Sequence, residues 1–169
     1  MGVEVQNPNP LSAFQNAAAA PKLIRASKTF TGAANLGAVG ANELFTTTGA
    51  VLVDAIFVRC TSDLVDAVDG AQFTIGPTGD AEVWGDFTAL FDLDTIDAGD
   101  ALNSGAGVAS DGWGPSLEVI AYPPAMLLDN IIMTISAQAI TGGVLEFYVL
   151  YRPLSSDGAL TLGAGMVSI

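Results

Sequence analysis

The segment Ala50-Val-Leu-Val-Asp-Ala-Ile-Phe-Val-Arg-Cys-Thr61 carries only two charges, Asp54 and Arg59, in an otherwise apolar run. Its length and β-branched content predict the central strand of an all-β domain. One parity holds Val51, Val53, Ala55 and Phe57, and the other holds Leu52, Ile56, Val58 and Cys60. A strand of strict period two would therefore be apolar on both faces. A sandwich sheet buries one face and wets the other, so a second cover is expected from an arm, a long loop or a neighbouring subunit.

Outward from this strand, short alternating segments separated by glycine turns fill the chain. Leu23 to Thr31 reads as an edge strand, with Ile24, Ala26 and Phe30 on the parity that also holds Lys28. Glu43 to Thr48 is a short strand and Gly49 turns it into the central one as an antiparallel neighbour. Ser62 to Asp69 fits helix or strand. Ala71, Phe73 and Ile75 mark a half-buried strand that ends at Gly76-Pro-Thr-Gly-Asp80. A further strand is predicted from Ala81 to Trp84, a helical turn at Phe87, Leu90 and Phe91, surface loops from Leu93 to Pro115, and a strand from Leu117 to Ala121. Leu127 to Gln138 is expected to turn Ile131, Met133, Ile135 and Ala137 inward. A tight turn at Thr141-Gly-Gly143 then leads into Val144 to Arg152, with Leu145, Phe147, Val149 and Tyr151 on one face, and the two strands form a hairpin. The expected architecture is an antiparallel β-sandwich of jelly-roll topology, residues 29–169, preceded by an extended N-terminal arm, residues 1–28. Leu11 to Ala20 fits a short helix stopped by Pro21 within that arm.

Charge narrows the function classes. The chain has 169 residues and a net charge of −13, from 18 acidic and 5 basic residues. No Lys, Arg or His occurs in the run from Cys60 to Tyr151, where 14 of the acids lie. Nucleic-acid binding needs cations to replace phosphate counterions, so that class is excluded, and an anionic membrane surface is repelled by the same charge. No stretch has the length of a membrane-spanning helix. Lys22, Arg25 and Lys28 gather at the arm's tip, giving the first thirty residues +2 against −15 for the remainder. These three residues are the candidate partner-binding site, with an acidic neighbour, another copy included, as what they would meet.

Catalytic chemistry finds little support. With no histidine, the Ser/His/Asp, Cys/His and usual zinc arrangements are impossible. Cys60 is a lone cysteine, expected as a buried small hydrophobe. No pair of carboxylates is singled out by spacing as a glycosidase pair, so the chain is expected not to be an enzyme and to hold no cofactor. Asp92, Asp94, Asp97 and Asp100 could offer oxygen ligands to calcium, but Ile96 stands where an EF-hand loop needs its next ligand, and a plain acidic loop is the expectation. Trp84 and Trp113 could stack on sugar rings, with core packing or an interface as the simpler reading.

The basic-tipped arm, the acidic Gly/Ala/Thr-rich sandwich without histidine, and the closing segment Ile140-Thr-Gly-Gly-Val-Leu-Glu-Phe-Tyr-Val-Leu-Tyr-Arg-Pro-Leu-Ser155 together resemble virion proteins of tailed bacteriophages. Among these the chain is similar to jelly-roll head decoration, or cement, proteins. The resemblance implies a homotrimer on the capsid exterior that clamps neighbouring major capsid proteins, with arms reaching along the shell. The alternative is a tail-fibre or baseplate tip module that binds host-surface glycan through Trp113 and the Asp92 to Asp100 loop.

Overall fold

In a computed structural model, residues 20–68, 70–80, 85–87, 96–102 and 125–169 are described. They form strands β1 (Lys22–Thr29), β2 (Gly40–Thr48), β3 (Val51–Asp66), β4 (Gln72–Pro77), β5 (Gly85–Phe87), β6 (Ala101–Leu102), β7 (Ala125–Leu127), β8 (Ile131–Ser136), β9 (Ile140–Pro153), β10 (Ala159–Leu162) and β11 (Met166–Ser168). No helix occurs among the described residues. The larger sheet has the order β11-β1-β9-β3-β6, with β7 also on β3, and the smaller has the order β10-β2-β8-β4-β5. Every pairing is antiparallel. Inward residues of both sheets, including Phe45, Phe73, Ile135, Phe147 and Val149, join in one hydrophobic core, as in a β-sandwich.

The central strand is present and longer than expected, but it is not covered as a strict period-two strand would require. Val53 faces Tyr151 and Ala55 faces Leu150, so Asp54 is an extra residue, a β-bulge. The bulge exchanges the parities. Val51 and Val53 point inward before it, and Ile56, Val58 and Cys60 point inward after it, all buried. Leu52, Ala55 and Phe57 are left half-buried on the outer face.

Three joins differ from the sequence expectation for one reason, which is that strands adjacent in the chain lie in different sheets. Gly49, at φ 59°, hands the chain from β2 in the smaller sheet to β3 in the larger, so the two are not neighbours. The expected strand Leu127 to Gln138 is two, β7 on β3 and β8 between β2 and β4, and Ala137 lies exposed at φ 61° beyond it. Asn130 fixes the crossing. Its side chain accepts from the Thr47 N–H at 2.9 Å and donates to Glu43 Oε1 at 2.9 Å, while its carbonyl accepts from the Thr78 N–H at 3.0 Å.

The third is the expected β8–β9 hairpin. Thr141-Gly-Gly143 is not a turn but part of β9, which pairs with β1 and β3, never with β8. The glycines serve a close approach instead. A Cβ on Gly143 would stand 2.5 Å from the Asp63 carbonyl oxygen and 2.8 Å from Leu64 Cα, and its φ is +99°. The ambiguous segment after Thr61 continues β3 to Asp66, and Phe87 lies in β5 rather than in a helical turn. The expectations for the arm residues 1–19, Ala81 to Trp84, Leu90 and Phe91, Trp113, and Leu117 to Ala121 fall outside the described residues.

Gly143→Ala is expected to destabilise the protein by at least about 2 kcal/mol, because both the positive φ and the backbone contact must yield. Gly79→Ala, where nothing lies within 4 Å of the added Cβ, is expected to stay within about 0.5 kcal/mol of the parent. Urea unfolding of the two variants checks the difference.

Candidate docking face

Strand alternation and antiparallel register decide which side chains share the outer face of the larger sheet. In β9 the inward residues are Leu145, Phe147, Val149 and Tyr151, all buried, so Glu146, Tyr148, Leu150 and Arg152 point outward. Three cross-strand rows follow. Leu150 lies between Leu23 and Ala55, Tyr148 between Arg25 and Phe57, and Glu146 between Ser27 and Arg59. Leu52 carries Met126 on one side and Arg152 on the other. Val167 of β11 extends the row of Ser27.

This face is unusual for the outside of a sandwich. Leu23, Met126 and Val167 are 56%, 66% and 63% exposed, where an outward sheet face ordinarily carries polar residues. The arginines are interleaved with them. Arg152 forms a two-pronged ion pair with Asp54, Nη2 to Oδ1 at 2.6 Å and Nε to Oδ2 at 2.8 Å, which holds the bulge residue's carboxylate on this side. The Tyr148 hydroxyl donates to Glu146 Oε2 at 2.7 Å. That hydrogen bond raises the phenol above its ordinary range, while the charges of Arg59 and Arg25 act on it in the opposite sense. Exposed Asp63, whose neighbours Leu64 and Asp66 are buried inward, continues this side of β3, so Arg25, Arg59 and Arg152 are matched in number by Asp54, Asp63 and Glu146.

The three cations singled out from sequence do not form one site. Lys22 to Lys28 is strand β1 rather than free arm, paired with β9 along its length and with β11 over Ala26 to Lys28. Alternation sends Arg25 outward and Lys28 inward. Lys22 is exposed at the strand's start, opposite Tyr151. Lys28 is fully buried, with Nζ donating to the carbonyls of Glu43 at 2.8 Å and Ala164 at 2.9 Å, so it fastens β1 to β2 and to the turn before β11 and cannot meet a partner. Arg59 and Arg152, far apart in sequence from Arg25, are brought to it by register. The signal available in the sequence was parity, since Lys28 shares its phase with Ile24, Ala26 and Phe30.

Of the proposed calcium loop, Asp97 and Asp100 are described and lie beside Asp63, whereas Asp92 and Asp94 lie outside the described residues. Among the described residues no group of three or more His, Cys, Asp or Glu side chains is arranged to hold a metal ion. Cys60 is buried as expected. Burial pushes its thiol up to about 11, and the protonated sulfur donates to the Ser62 carbonyl at 3.1 Å.

No protein-family model matches the chain, and no curated protein does. Among solved structures it is similar to a chain of the cyanophage Pam1 capsid asymmetric unit, at 16% identity and a TM-score of 0.43, over 80% of this chain and 86% of that one. A likeness of that size leaves function to be argued from the face itself.

Burial lowers the Lys28 ammonium from 10.5 to about 8, with the nearby Glu43 acting in the opposite direction. Between those two values the unfolded chain holds more of this proton than the folded one, so stability attributable to Lys28 rises as pH increases through that window. The unfolding free energy of the parent minus that of Lys28→Met is therefore expected to grow from pH 8 to 10.5. Urea titrations at several pH values read this directly, and a flat difference would refute it.

Proposed function

We propose that this chain is a structural, non-enzymatic protein of a bacteriophage virion that decorates and stabilises the exterior of the capsid. It would do so as a homotrimer bound to the major capsid protein. The observation that carries the reading is the outer face of the larger sheet, where exposed Leu23, Met126 and Val167 lie among three arginines on an otherwise acidic chain. Such a face is costly to leave in water and suits a protein that works inside an assembly. The resemblance of the whole chain to head decoration proteins supports the same reading. The absence of histidine from the sequence supports a role without acid–base chemistry. The strand order supports the jelly-roll assignment of the sandwich, since most successive strands, β4–β5 and β6–β7 excepted, lie in different sheets and β9 and β8 return beside β1 and β2.

Quantitative mass spectrometry of purified particles tests the reading. Copies on the scale of the major capsid protein are expected. A number typical of a tail component would move the chain to the tail and favour the glycan-binding alternative, and complete absence from particles would end the virion reading.

The structure also limits how an anchoring arm can be tested. Deleting residues 1–19 is expected to leave the sandwich's unfolding midpoint unchanged and to abolish co-sedimentation with capsids lacking this protein. Extending the deletion through Lys28 removes β1, uncovers the β9 edge and strips cover from the buried Phe147 and Val149. That chain is expected not to fold, so its failure to bind would say nothing about anchoring.

A further inference from the structure

We draw no further inference here: the strongest candidate, the outer face of the larger sheet with exposed Leu23, Met126 and Val167, carries nothing because Arg25, Arg59 and Arg152 are matched there by Asp54, Asp63 and Glu146 and nothing in the structure shows what covers it.

Discussion

A strand that is apolar at both parities can lie in a sheet with one dry face only by changing parity, and Asp54 is where β3 does so. Without that extra residue the phase set by Val51 and Val53 would continue, turning Ala55, Phe57 and Arg59 into the core and Ile56, Val58 and Cys60 out of it. Each buried aliphatic side chain contributes about 1.5–3 kcal/mol relative to exposure, and an unpaired arginine in the core would cost far more than one of them supplies. The bulge therefore sets the pairing of β3 with β9 from Ala55 to Cys60, beyond which the register shifts again. Its carboxylate, turned to the outside, is also what Arg152 grips.

The same parity change makes the outer face what it is. Leu52, Ala55 and Phe57 stay on the outside, and β1 and β9 add Leu23, Leu150 and Tyr148 in register. A sheet face of this composition carries its apolar surface where other sandwiches carry serine and threonine. Arg25, Arg59 and Arg152 share that face with Asp54, Asp63 and Glu146. The basic segment expected ahead of an acidic body does not survive as one surface: Lys28 is buried, and the arginines share their face with carboxylates.

Composition, class and the longer strands were legible in the sequence because each is a local property, whereas β6 falls in a segment read as loop and β10 and β11 were not singled out. Alternation marked β1, β4, β8 and β9, and the inward set of β9 was read residue by residue. Sheet membership was not legible, because Ile131 to Ser136 and Ile140 to Pro153 find their partners far along the chain, and nothing near Thr141-Gly-Gly143 distinguishes a turn from a close crossing. The candidate site suffered from the opposite error. Nearness in sequence grouped Lys22, Arg25 and Lys28, although a strand sends alternate residues to opposite faces, and the arginines that do share a face come from three strands.

The position of β1 has a consequence for how the chain is made. Its partners are residues 144–151 on one side and 166–168 on the other, so a strand synthesised near the start stays unpaired until nearly all of the sheet exists. A waiting segment with Leu23, Ile24, Ala26 and Phe30 in it is one that could pair with the wrong chain. Lys22, Arg25 and Lys28 break that run at every third residue while it is still solvated, and positive charge discourages it from pairing with its own kind. Lys28 then ends in the interior: a residue that keeps the nascent strand in solution becomes, on completion, the fastener that joins the two sheets.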